Sequence, residues 1–139
     1  MLRIFPVFLL ALAASAQVPF TIEQVLSYSF PTYLTAAPRG DKIAWVSNTR
    51  GVRNIMVAEA PAWRARRITN YTQDDGQELQ QLSWAPDGAA IAYVRGDDAN
   101  GRGEYPNPAL NPAGEQETVW IVRLAGSAPR RIGEGAQPA

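Results

Sequence analysis

The chain has 139 residues, 13 basic and 13 acidic side chains, no cysteine and no histidine. That length corresponds to one domain or part of one, since domains usually run to roughly 100–200 residues. Without Cys or His there is no disulfide, thiolate nucleophile, Cys-ligated zinc or Ser-His-Asp apparatus, and zero formal charge leaves no electrostatic footprint for nucleic acid or an anionic membrane.

Arg3 is a lone positive charge, Ile4 to Ala14 is almost unbroken hydrocarbon apart from Pro6, and Ala14-Ser15-Ala16 has the small-x-small form of a cleavage site. The run is shorter than the roughly 20 apolar residues that cross a bilayer. Residues 1–16 therefore read as a secretory signal peptide cut before Gln17. The mature chain is expected in the periplasm or outside the cell, off the membrane once the leader is removed.

Residues 17–33 form a lead-in. Thr21-Ile22-Glu23-Gln24 is a capping-box pattern, and Ile22, Val25 and Leu26 share a face at helical spacing. A short helix from Ile22 to Ser27, packed on the scaffold, is expected, and Pro31 ends any continuation.

An internal repeat follows. Leu34 to Val46, with Pro38-Arg39-Gly40 and Ile43-Ala44-Trp45-Val46, lies over Leu82 to Val94, with Pro86-Asp87-Gly88 and Ile91-Ala92-Tyr93-Val94, at a constant offset of 48. Asn54 to Ala58 lies over Thr118 to Val122, and Arg66-Arg67-Ile68 over Arg130-Arg131-Ile132, at an offset of 64. The 16 extra residues of the second copy fall in a Gly-, Pro-, Asn- and Asp-rich stretch, so the insertion sits in a loop while the flanks keep register. The predicted units are a first blade over 34–69, an inter-blade loop over 70–81, and a second blade over 82–133 with an inserted loop at 96–116. Residues 134–139 begin a connection to a third blade.

Within each unit the pattern is that of short antiparallel strands. Ala85-Pro86-Asp87-Gly88 puts Pro where its fixed φ suits a type I turn and Gly where positive φ costs least. Ile43 and Trp45 (Ile91 and Tyr93 in the second copy) point one way, while Ala44 and Val46 (Ala92 and Val94) point the other. Both faces are apolar, which predicts strands sandwiched between neighbouring sheets. Ile55 to Ala58 and Val119 to Val122 supply a third strand, and Arg66 to Thr69 and Arg130 to Ile132 a more polar fourth. The predicted fold is all-β: two four-stranded antiparallel blades of an incomplete β-propeller, preceded by a signal peptide and a short helix. Two blades do not close a ring, so the chain is expected to be the exported N-terminal part of something longer, and aggregation-prone alone through a bare apolar face and an unpaired edge.

These residues resemble the N-terminal propeller of exported bacterial serine peptidases of the prolyl oligopeptidase family. The resemblance rests on Phe20 to Ser27 as lead-in, Gly51-Val52-Arg53-Asn54-Ile55, Ala65-Arg66-Arg67-Ile68-Thr69, and Leu82 to Gly96 opening the second unit. Arg39 stands where the family's turn usually has Asp, and Ala37 and Ala85 where Ser is more frequent. The resemblance implies a non-catalytic segment that gates and docks peptide substrates for a C-terminal α/β-hydrolase domain. That domain would supply G-x-S-x-G, Asp and His; the given sequence has no G-x-S-x-G and no His. Its implied partners are the remaining blades, the hydrolase domain and the peptide. The alternative is a TolB-like periplasmic binding propeller, and a third class is a polysaccharide-active or metal-dependent enzyme.

No catalytic, cofactor-binding or metal residue is assigned, and no cofactor is expected. Asp74, Asp75 and Glu78 have the chemistry for a hard cation or acid–base work but lack complete ligand spacing, so they read as a solvated connector. Asp97-Asp98-Ala99-Asn100-Gly101 misses the calcium-loop pattern, with Gly96 at the first position and Asn107 at the twelfth, and Gly101-Arg102-Gly103 reads as flexible loop rather than a phosphate cradle. Pro106, Pro108 and Pro112 are expected to stiffen the insertion, which is the segment best placed to contact a missing domain or narrow substrate access. Arg66-Arg67 and Arg130-Arg131 read as blade-edge residues, and Trp45, Trp84 and Trp120 as core. Asn70-Tyr71-Thr72 is a formal glycosylation sequon.

Overall fold

The computed structural model describes residues 20–136; the expected signal peptide lies outside the described residues. The first element is α1 (Ile22–Leu26), and its capping box forms as predicted. Thr21 Oγ1 accepts from the Gln24 N–H at 3.1 Å, and Gln24 Oε1 accepts from the Thr21 N–H at 3.0 Å. The expected packing of the helix on the scaffold does not form: Ile22 and Leu26 are 74% and 67% exposed. A five-residue helix presents too narrow an apolar stripe to anchor itself, so its cap holds it rather than burial.

Eight strands follow as two four-stranded antiparallel sheets, each in chain order. The first comprises β1 (Phe30–Ala36), β2 (Lys42–Thr49), β3 (Val52–Glu59) and β4 (Arg66–Arg67), and the second β5 (Leu79–Trp84), β6 (Ala90–Arg95), β7 (Thr118–Arg123) and β8 (Arg130–Glu134). The repeat is thus structural. Trp45 pairs with Met56 and Met56 with Arg67, just as Tyr93 pairs with Trp120 and Trp120 with Arg131.

The first strand of each unit starts earlier than the sequence boundaries at 34 and 82 suggest. Pairing runs through Thr32↔Val46, breaks, and resumes at Thr35↔Ala44; in the second unit it runs through Gln80↔Val94 and resumes at Ser83↔Ala92. Tyr33 and Gln81, 48 residues apart, both hold φ of 53° at this β-bulge. A bulge breaks the period-two alternation, so the strand before it does not read as one.

The turns follow local chemistry. Gly88 N–H donates to Ala85 O at 2.8 Å with φ of +67°, and Asp87 Oδ1 accepts from Ala89 N–H at 2.9 Å, as Pro-Asp-Gly predicts. A Cβ at Gly88 would stand 2.9 Å from Arg39 O, so close approach of the two equivalent turns also requires glycine. Lys42 Nζ bridges them by donating to Gly88 O at 3.1 Å. Arg50 and Gly51, with φ of 51° and 81°, make the β2–β3 turn; the 96–117 segment takes that place between β6 and β7.

The core lies between the sheets. Ala44, Val46, Ile55 and Val57 of the first pack with Ile91, Tyr93 and Val122 of the second, with Trp84 and Trp120 against them. Both sheets being sandwiched on two sides was the expectation; on the outer faces Ala58 and Val94 are buried as well, but Ile43 and Trp45 line an open apolar groove of about 560 Å³ with Pro31, Tyr33 and Leu34. Trp84 and Trp120 join the core as predicted; Trp45 faces the groove.

Candidate functional site

The β2–β3 turn, the connection from β4 to β5 and the 96–117 insertion all lie at the end of the sheets where β6 stops and β7 starts. Chemistry-bearing side chains gather there. Arg53, near the start of β3, donates to Gly51 O at 2.7 Å and pairs with Glu78 at 2.6 Å and Asp74 at 3.5 Å. Arg95, the last residue of β6, pairs with Asp75 and lies 5.2 Å over the Tyr71 ring. The Tyr71 and Tyr93 hydroxyls share a hydrogen bond of 2.8 Å, and burial pushes both phenols up from their ordinary value.

Asp74, Asp75 and Glu78 reach solvent, as expected of a connector, and are in addition ion-paired. Two arginines hold them, because strands that end side by side bring Arg53 and Arg95 under one loop. Asp74 Oδ1 and Asp75 Oδ1 also accept from Gly76 and Gln77 N–H, which fixes the loop locally. Arg53 and Arg95 were missed as partners. The signal available was an arginine beside the turn end of each strand, Arg53 second in β3 and Arg95 last in β6.

The insertion is folded rather than free. Asn100 Oδ1 accepts from Arg102 and Glu104 N–H at 2.9 and 3.1 Å, and Gly103 N–H donates to Asn100 O at 2.9 Å. Residues 100–104 thus form a turn closed on Asn100. Pro108 reaches the inter-unit connection: a Cβ on Gly76 would lie 2.2 Å from Pro108 Cγ. At the root of the insertion Gly96, with φ of +113°, lets the chain leave while Glu117 returns; a Cβ there would lie 3.1 Å from Glu117 Cα.

Glu117 was not singled out by the sequence. It is 6% exposed, and its Oε1 has no hydrogen-bond partner among the described residues. Burial, then the neighbouring charges of Asp98 and Asp97, raises its carboxyl above the ordinary value; burial and the charge of Glu78 raise Asp97, with Arg53 opposing. An acid whose folded-state pKa is raised gives stability present below its unfolded pKa and lost as pH rises through the folded one. Unfolding free energy is accordingly expected to rise as pH falls from neutrality toward the ordinary carboxylate range. Glu117→Gln should raise stability at pH 7 and flatten that rise, as checked by urea titrations across pH; an unchanged slope would count against it.

This end carries eight carboxylates (Asp74, Asp75, Glu78, Asp97, Asp98, Glu104, Glu115, Glu117) against four guanidinium groups (Arg50, Arg53, Arg95, Arg102), so its local field is negative. Among the described residues no group of three or more His, Cys, Asp or Glu is arranged to hold a metal ion. The remaining candidates stay apart from this end or serve the sheets. Arg66 pairs with Glu59 at 2.7 Å and donates to Leu124 O of the second unit at 3.1 Å, while Arg131 pairs with Glu134 at 3.3 Å. Exposed Asn70, of the sequon, accepts from Arg67 at 2.8 Å.

No protein-family model matches the chain, and a search of curated proteins finds no match. No helix among the described residues is long and apolar enough to cross a membrane.

Proposed function

We propose that the chain is the N-terminal, non-catalytic segment of an exported serine peptidase's β-propeller, gating and docking peptides for a hydrolase domain supplied elsewhere in the protein. One observation carries the propeller part: two four-stranded antiparallel sheets with equivalent register, bulge and turns, stacked inner face on inner face. The peptidase part rests on the residues that resemble the prolyl oligopeptidase family, since a fold alone fixes no activity. The acidic surplus where the insertion and inter-unit loop meet favours a ligand with a positive group, such as a peptide amino terminus, over an anionic one.

The test is the reading frame beyond residue 139. Several hundred further codons containing G-x-S-x-G followed by Asp and His support the proposal. A stop codon soon after a closed set of blades overturns it in favour of a TolB-like binding propeller.

A further inference from the structure

The 96–117 insertion leaves the second sheet and returns to it at one root, and that root is built around carboxyl groups. The last rung of the β6–β7 ladder is Arg95↔Thr118, with Thr118 Oγ1 donating to Arg95 O at 3.2 Å. Just beyond it the chain crosses itself closely: a Cβ on Gly96 would stand 3.1 Å from Glu117 Cα. Gly96 N–H donates to Glu78 O and Gly135 N–H to Glu117 O, each at 3.0 Å. The Asp98 carboxyl lies within hydrogen-bonding reach of the Glu117 carboxyl. Glu117 is 6% exposed, and its Oε1 has no hydrogen-bond partner among the described residues. Two carboxyl groups share a hydrogen bond only when one of them carries a proton, since ionised carboxylates only accept. Away from the root the segment bonds to itself: Asn100 to Arg102 and Glu104, Asn107 to Asn111, and Asn111 to Ala113 and Glu115. Such local closure lets it move as one body about Gly96, whose φ of +113° suits a glycine hinge.

We infer that the insertion is a pH-operated arm, clasped against the end of the sheets when Asp98 and Glu117 share a proton and released when both are ionised. The proton comes from solvent and stays on one carboxyl, whose O–H donates to the other. The surrounding charges leave that role to a proton. Asp97 adds a further negative charge beside Glu117, and Glu78 and Arg53 act on Asp97 with opposite signs. Arg53 is paired with Glu78 and Asp74, Arg95 with Asp75, and Arg131 with Glu134, the residue before Gly135. Each of these cations therefore already has a carboxylate of its own. Burial, then the charge of Asp98, raises the Glu117 carboxyl above its ordinary value, so the clasped arm holds the proton more tightly than the released one. Clasping is accordingly full below the ordinary carboxylate value and lost as pH rises through the raised one. The inference stands apart from the peptidase reading, because it needs only the insertion and its root.

The test is energy transfer across the full chain, which has no cysteine of its own. Leu110→Cys, midway along the arm, and Thr49→Cys, at the end of β2, carry the two dyes. The ratio of clasped to released arm should fall by roughly tenfold or more between about pH 5 and about pH 7.5. Glu117→Gln and Asp98→Asn, whose amides donate without a titrating proton, should each stay clasped across that range. Glu104→Gln, in the arm but off its root, should keep the wild-type response. Circular dichroism checks that every variant retains its strands. A folded wild type whose dye separation ignores pH would overturn the inference, as would a folded Glu117→Gln or Asp98→Asn that follows pH like wild type. Loss of the response in Glu104→Gln would overturn it too, by tracing the motion to the arm's total charge instead of its root.

Discussion

Ile55→Ala is expected to lower the unfolding free energy by about 2–5 kcal/mol, the range for truncating a buried branched side chain that leaves a cavity behind. Ile55 is fully buried in the cluster joining the two sheets. It sits on β3, whose neighbours on both sides are fixed by the ladder, so little collapse can fill the space. Leu110→Ala is the control: Leu110 is 83% exposed in the insertion, and its truncation should stay within about 0.5 kcal/mol. Urea unfolding followed by tryptophan fluorescence reads both, since Trp84 and Trp120 pack against the same cluster. Equal effects from the two substitutions would mean that the sheets do not pack on these faces.

Arg53→Gln is the second large effect. The Arg53 side chain is 15% exposed, and its guanidinium faces Glu78 and Asp74 with Asp97 nearby. Removing it leaves carboxylates crowded at one end of the sheets without their principal cation. The expected loss is about 2 kcal/mol, between the value of exposed pairs and that of breaking a buried one, because both acidic partners reach solvent. Residues 70–78 should lose amide-exchange protection in the same variant. In a double-mutant cycle, Glu78→Gln should cost less in the Arg53→Gln background than alone. Additive costs would show that Arg53 and Glu78 do not act together.

Much of the fold is legible from local chemistry. Thr21 and Gln24 cap a helix through atoms three residues apart, and Pro86-Asp87-Gly88 turns the chain through bonds it makes with itself. The repeat announced two equivalent sheets because equivalent strands need equivalent side chains on the same faces. The bulges were hidden for the opposite reason: Tyr33 and Gln81 are ordinary residues in a left-handed conformation, and nothing in their identity marks it. The polar end was equally hidden. Asp74, Asp75 and Glu78 stand together in the sequence, but Arg53 and Arg95 come from different strands and are aligned only once both sheets form. Glu117 reads as a surface charge until Gly96 brings the root of the insertion against it.

By itself the sequence determined the helix cap, the Pro86-Asp87-Gly88 turn, the number and order of strands, and the two-faced apolar pattern, since each depends on contacts within a few residues or on strict periodicity. Only the tertiary structure decided which apolar face is buried and which stays open, and which arginine answers which carboxylate. Both depend on surfaces that meet across the whole molecule, where Ile43 and Ile91 carry the same side chain and differ only in what lies opposite.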